Sequence, residues 1–175
     1  DKSYNKTKMY TVWVRLNTVV SFGFSSLFGF ACLAALSKVG HSLYRQPVIS
    51  TLELNKLRSL KSHGGVDRAL LSLDLNADMD PAFHWNIKQL FVYIVASYET
   101  EENPVNQVVL WDSIVENVDE NKLLQQNNVF VKYALVDPGD ALRGKDITLS
   151  LHWDHMPLTG FMFQGHQDLQ TASQF

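Results

Sequence analysis

A chain of 175 residues, 46% of them hydrophobic, has room for one modest domain and little beyond it. Its single cysteine, Cys32, excludes an internal disulfide framework and a cysteine-based zinc site. The formal charge of −3 is unevenly spread: residues 1–15 set Lys2, Lys6, Lys8 and Arg15 against Asp1, whereas residues 38–175 carry 11 Lys/Arg against 17 Asp/Glu, without the basic stripe that nucleic-acid binding requires.

Residues 1–15 form a short polar segment with no core of its own. Its Asn5-Lys6-Thr7 is formally a glycosylation sequon, read here as a chance match on the cytoplasmic side. Leu16–Ser37 follows, 22 positions without a charge between Arg15 and Lys38. At about 1.5 Å of rise per residue, a helix of that length matches the hydrocarbon core of a bilayer. Its Phe22, Phe24, Leu27, Phe28, Phe30, Leu33 and Leu36 fall all round such a helix rather than on one stripe, which disfavours a buried soluble helix. A cleavable signal peptide is the rival reading, with Ala35-Leu36-Ser37 as a small-x-small site. The run is longer than the usual signal-peptide core of about 7–15 residues, so we read a transmembrane signal-anchor. The excess of Lys and Arg just before the run places the N-terminus in the cytoplasm and the C-terminal domain across the membrane. Ser21, Ser25 and Gly29 recur every four residues, a spacing of small side chains that lets a second membrane helix approach.

Residues 38–47, containing Gly40 and Pro47, read as a linker. From residue 48 to 175 the period changes to two. Leu71, Leu73, Leu75 and Ala77 alternate with polar residues, as do Ile147, Leu149, Leu151 and Trp153, so both stretches are expected as half-buried strands. Leu90–Ala96 is apolar at every position, the pattern of a central strand covered on both faces. Further strands are expected around Val48–Leu54, Gln107–Val115, Val129–Val136 and Gly160–Gln164. Turns are expected at Gly64-Gly65, Asp80-Pro81, Asn103-Pro104 and Asp137-Pro138-Gly139. Asp119–Gln126 reads as a short helix or structured loop. Six or seven strands in about 130 residues, without alternating helices, predict a mainly β architecture, an antiparallel β-sandwich behind one N-terminal membrane helix.

The residues offer little chemistry. No G-x-S-x-G pentapeptide occurs, and Ser113 lies in an expected strand without a base beside it. His152 and His155 are three apart, and in a strand they point to opposite faces; no third metal ligand accompanies them. His84, just before the apolar strand, reads as a capping or packing residue. No catalytic residue, cofactor or metal is expected. What stands out is polar and aromatic residues running into apolar strands: Trp85, Asn86, Lys88 and Gln89 before Leu90, and Asn106 and Gln107 before Val108, with Trp111 and Asp112 beyond. Buried amides and charges are costly unless hydrogen-bonded, so these residues find partners either inside the fold or on another chain. Trp111 suits either an interface anchor or a core position.

At these residues the chain resembles the signal peptidase complex subunit 3 family, the larger, usually glycosylated accessory subunit. The resemblance rests on Trp85–Tyr93 (WNIKQLFVY), Asn106–Val115 (NQVVLWDSIV), Leu142-Arg143-Gly144, Thr148–Trp153 (TLSLHW), Pro157 and Gly160. It implies a single-pass protein of the endoplasmic reticulum membrane with its C-terminal domain in the lumen. It further implies a non-catalytic role: bracing and positioning the catalytic subunit that removes signal peptides, in company with the other small accessory subunits and possible contact with the translocon. Against this stand two other readings: a luminal module that binds the translocon or nascent chains independently of peptidase activity, and a hydrolase in its own right using Ser113 or His152. In one respect the chain departs from the family: Asp146-Ile147-Thr148 has Asp in the Asn position of the family's luminal sequon, and no Asn-x-Ser/Thr follows the membrane run. The domain is therefore expected to carry no N-linked glycan.

Overall fold

The computed structural model describes residues 11–44, 46–118, 122–139 and 142–172, the side chains of 38–44 and 169–172 excepted. The Asn5-Lys6-Thr7 match lies outside the described residues. One helix, α1 (Val12–Tyr44), precedes eight strands: β1 (Val48–His63), β2 (Val66–Asp78), β3 (Ile87–Tyr98), β4 (Asn106–Glu116), β5 (Leu123–Phe130), β6 (Leu135–Asp137), β7 (Ile147–Pro157) and β8 (Phe163–Ala172).

Within α1 the span Val12–Ser37 is long and apolar enough to cross a membrane, and none of its most apolar window is buried by the rest of the chain. Phe22, Phe24, Phe28 and Phe30 all stand exposed, as expected of side chains whose solvent is lipid. The chain is thus a single-pass membrane protein followed by a β domain. The helix continues beyond Ser37 to Tyr44, through residues expected to form a linker. A lone Gly40 costs a helix only about 1 kcal/mol relative to Ala, and the first proline, Pro47, stands just past the helix end, where it excludes further helix.

The strands form two antiparallel sheets. One has the order β1-β2-β5, with β6 also paired to β2; the other has the order β4-β3-β7-β8. They face each other across a core that joins Leu52, Leu71, Leu73 and Leu75 to Leu90, Ile94, Leu110, Leu149, Leu151 and Trp153. Each such side chain withdrawn from water contributes about 1.5–3 kcal/mol, and the alternation seen in β2 and β7 follows from it. Two connections tie the layers at their edges. Between β5 and β6 the chain crosses over, Val131 N–H donating to Leu71 O at 3.2 Å and Tyr133 N–H to Leu110 O at 3.0 Å. Deeper in, the Tyr98 hydroxyl of β3 donates to the Asp137 carboxylate of β6 at 2.8 Å, both residues being buried. Burial first, then the adjacent carboxylate, pushes the Tyr98 hydroxyl far above its ordinary range, so it remains a donor.

Several expectations need correction. Strand β1 runs nine residues past Leu54, to His63. Leu123–Gln126 is strand rather than helix, pairing with β2 through Leu75↔Gln126 to Asp78↔Leu123, while residues 119–121 lie outside the described residues. The expected Val129–Val136 strand divides into the end of β5 and the short β6, and β8 begins at Phe163 rather than Gly160. The largest difference concerns β3. Leu90, Val92, Ile94 and Ala96 are buried against the other sheet, but Phe91 and Tyr93 on the opposite face are only half-buried. Within this chain, the strand that reads as covered on both faces is covered fully on one.

Registers define the ends of the sandwich. The start of β3 lies beside the end of β7 (Ile87↔Pro157), and the start of β1 beside the end of β2 (Val48↔Asp78). This end adjoins the helix. The opposite end holds the Gly64-Gly65 turn, the β3–β4 loop and the start of β7.

Candidate functional site

The half-covered side of β3 belongs to the outer face of the sheet β4-β3-β7-β8. Four rings form a row across it. Phe91 and Tyr93 stack with centroids 5.3 Å apart, Tyr93 and His152 at 5.1 Å, and His152 and His166 at 5.2 Å. Register explains the row, since Tyr93 pairs with His152 and His152 with His166 on neighbouring strands, which brings same-face side chains into contact. Beneath the row Trp153 fills the core, and its indole occupies the space beside Gly165. A Cβ at Gly165 would fall 2.5 Å from that ring, so only glycine permits this approach of β8 to β7. Ile114 (54% exposed) and Val109 (39% exposed) extend the face along β4.

The polar groups around the row are held mostly by one another. Gln164 donates to the Tyr93 hydroxyl. Ser150 Oγ donates to Val95 O at 3.5 Å and lies 3.0 Å from His152 Nε2. The His152 Nδ1 is buried and has no hydrogen-bond partner among the described residues. Burial and the neighbouring His166 lower the His152 pKa below 6.5, opposed by Asp168 and Asp154. Burial raises Asp154 above the usual carboxylate value. A shallow depression of about 520 Å³ lined by Ser97, Gln107, Ser150, His152, His166 and Asp168 lies over this region.

A serine–histidine contact invites a catalytic test, and it fails on geometry. A triad needs a carboxylate on the far ring nitrogen to orient and charge the base, yet His152 Nδ1 has no partner. The serine is itself buried. Ser113 is half-buried and pairs with Val92 in the ladder, across the strand from His152's neighbour Trp153. His155 is buried on the opposite face from His152 and contacts the Phe163 carbonyl at 3.3 Å. Among the described residues no group of three or more His, Cys, Asp or Glu is placed to share a metal ion.

The residues singled out in the sequence fall into four places. Trp85 and Asn86 lie at the helix-proximal end. Asn86 is fully buried: its Nδ2 donates to Thr159 O at 2.9 Å and its Oδ1 accepts from Thr159 N–H at 3.2 Å. His84 accepts from Asn86 N–H at 3.3 Å. Lys88 is exposed and Gln89 half-buried beside Met156, 3.1 Å from its sulfur. At the far end Asn106 clips the β3–β4 loop, donating to Tyr98 O at 3.3 Å and Asn103 O at 3.1 Å, while Gln107 reaches Ser97 at 3.4 Å. On β4, Trp111 is 5% exposed and faces the core. Lys132 lies 5.7 Å over the Trp111 ring and 3.4 Å from the Asp112 carboxylate. In the helix, Ser21, Ser25 and Gly29 are exposed, and nothing lies within 4 Å of a Cβ placed on Gly29. Sequence reasoning missed the ring row, because Phe91, Tyr93, His152 and His166 meet only through strand register. Its one signal was that β3 is apolar at positions that should be wet.

Comparison with known proteins agrees with this architecture. A family model described as "Signal peptidase subunit" matches residues 9–175. The chain is 30% identical over 154 residues to signal peptidase complex subunit 3 of Dictyostelium discoideum, covering 88% of each protein. It is 34% identical over 158 residues to the Homo sapiens subunit 3, covering 88% of this chain and 87% of that one, and 33% identical over 161 residues to that of Caenorhabditis briggsae, with the same coverage. An apolar helix, a two-sheet domain and matches that run through both place the chain in the signal peptidase complex subunit 3 family.

Proposed function

We propose that this chain is a non-catalytic accessory subunit of a signal peptidase complex in the endoplasmic reticulum membrane, with its N-terminus cytoplasmic and its sandwich in the lumen. The observation that carries the reading is family membership extending through both the membrane helix and the sandwich. The Lys/Arg bias before the apolar run supports the orientation. The sandwich braces the catalytic subunit, and the helix fixes its height above the bilayer. Catalysis gains from such an arrangement because a site held at the right distance from the membrane meets its substrate already positioned.

The outer face of β4-β3-β7-β8 is the surface we assign to that partner, on the strength of its half-covered aromatic row and exposed Ile114. Rings with limited side-chain freedom are well suited to such a surface. The exposed Ser21-Ser25-Gly29 face of α1 suits a neighbouring helix of the same complex.

The test is a reconstituted complex assembled with and without this chain and assayed for cleavage of a presecretory substrate. Processing is expected to fall when the chain is omitted, and unchanged processing would overturn the bracing role. Stoichiometric co-purification with the catalytic subunit is expected. Recovery with translocon components alone would favour an independent binding module.

A further inference from the structure

The helix-proximal end of the sandwich carries a group of apolar side chains that the fold does not use. Leu158 (65% exposed), Phe161 (77%) and Met162 (69%) lie in the β7–β8 loop, Trp85 (60%) just before β3, and Val118 (82%) just after β4. Strand register puts these segments at one end, since Ile87 pairs with Pro157 and Gln89 with Glu116. The five-residue loop 158–162 contains no charged residue. The β3–β4 loop at the other end contains Glu99, Glu101 and Glu102. Exposed apolar side chains gathered at one end of a domain mark a surface that meets something apolar.

The structure also shows where that surface lies. A Cβ at Gly160 would lie 3.1 Å from Ala35 Cβ and 3.3 Å from Ala35 Cα, and Gly160 has φ +99°. The loop therefore lies directly against the helix, at a residue that any side chain would push away. Ala35 stands two positions before Ser37, the last residue of the uncharged run, so the loop meets the helix about 3 Å from the end of that run. This is the depth of the boundary between hydrocarbon and headgroups. Asn86 holds the loop there: besides its three side-chain bonds to Thr159, its carbonyl accepts from Leu158 N–H at 2.8 Å. A tryptophan beside the loop suits a boundary that is apolar on one side and wet on the other.

We propose that the Leu158–Met162 loop, with Trp85 beside it, dips into the lipid interface next to the membrane helix and gives the sandwich a second, non-covalent attachment to the bilayer. The proposal rests on α1 spanning the membrane. The experiment uses the full chain assembled in its complex and reconstituted into phosphatidylcholine vesicles. In a Cys32→Ala background, an environment-sensitive fluorophore is attached at Phe161→Cys, at Met162→Cys, or at Glu101→Cys on the opposite end, and nitroxide lipids are added as quenchers. Both loop positions are exposed, so the substitutions leave the core untouched. Headgroup-region nitroxides are expected to quench the fluorophore at 161 and 162 several-fold more than at 101. Quenching at 161 and 162 no greater than at 101 would overturn the proposal. So would a blue shift without lipid quenching, which would mean that another protein covers the loop. The same fluorophore on native Cys32 separates the two readings. Strong quenching there by nitroxides deep in the acyl chains, with none at 161 or 162, leaves the membrane span standing and sinks the loop attachment. Absence of quenching at Cys32 would sink both.

Discussion

The outer faces of the two sheets make different use of the same alternating pattern. On β2, Ser72 is fully buried under Arg58, whose Nε donates to Ser72 Oγ at 3.2 Å, and Asp74 accepts from Asn55 at 2.6 Å and from the backbone of Asn128. Arg58 also lies 5.0 Å over the Phe130 ring and donates to the Asn128 side chain. Polar groups on this face answer one another across β1, β2 and β5. On β4-β3-β7-β8 the corresponding positions hold Phe91, Tyr93, His152 and His166, with Ile114 exposed. One face is tied together mostly by its own polar groups, with Leu70 and Phe130 left exposed on it, and the other presents the ring row beside Ile114. Polar groups that satisfy one another contribute to stability, whereas the aromatic face is the one we propose for assembly.

Substitutions can break this contrast, and the largest effect lies just behind the open face. Trp111→Ala removes a buried indole and leaves a cavity, so the chain is expected to lose about 3–5 kcal/mol of stability in a denaturation experiment. A folded Trp111→Ala domain that merely fails to assemble would instead make Trp111 part of the interface. Asp74→Ala on the closed face is expected to cost about 0.5–1.5 kcal/mol, because the Asn128 N–H and the Asn55 amide exchange their acceptor for water, while co-purification with the complex stays intact. Loss of assembly in a stable Asp74→Ala protein would erase the distinction between the faces.

The pH response is a smaller effect and belongs to the open face. His152 titrates below 6.5 in the folded chain, so the unfolded chain binds the proton more readily. Stability contributed by neutral His152 is present above pH 6.5 and declines as pH falls through that value toward the lowered pKa. His152→Gln, which keeps a donor toward Ser150, is expected to flatten this slope in melts recorded across mildly acidic pH. An unchanged slope would assign it to other groups. The smallest change in stability is expected for Ile114→Ser, within about 0.5 kcal/mol of the parent as for other exposed positions. Its effect should be on recovery with the catalytic subunit. Unchanged recovery would move the interface elsewhere.

Much of the architecture can be read directly from the residues. The length of the uncharged run from Leu16 to Ser37 favours a span over a signal-peptide core, and the alternation in β2 and β7 follows from a sheet with one buried face. The edges were harder. β1 carries Lys56, Arg58 and Lys61, and charges of this kind suit an exposed edge strand while hiding its length from a hydrophobic pattern. Leu123–Phe130 contains Gln125, Gln126, Asn127 and Asn128, residues of poor strand propensity that pairing with β2 holds in strand all the same. The amides at Asn86 and Asn106 were visible as anomalies; Asn106 serves the loop just before it, whereas Asn86 serves the loop at Thr159, which sequence does not bring close. The ring row depends on register across three strands, and one chain read in order contains no register.

The short passage from membrane to domain has a consequence for motion. Only residues 45–47 separate the last helical residue, Tyr44, from the start of β1, and Pro47 is already buried. A long flexible tether would let the domain sweep a broad dome of orientations, diluting any one of them. Here only three residues connect the two, and the loop at Gly160 already lies against Ala35 of the helix, which restricts the range the domain can sweep. A bound neighbour then experiences a high effective concentration of the correctly oriented face, since the orientational search is largely complete before the two meet. Lengthening the passage with Gly-Ser repeats would return that search to the encounter.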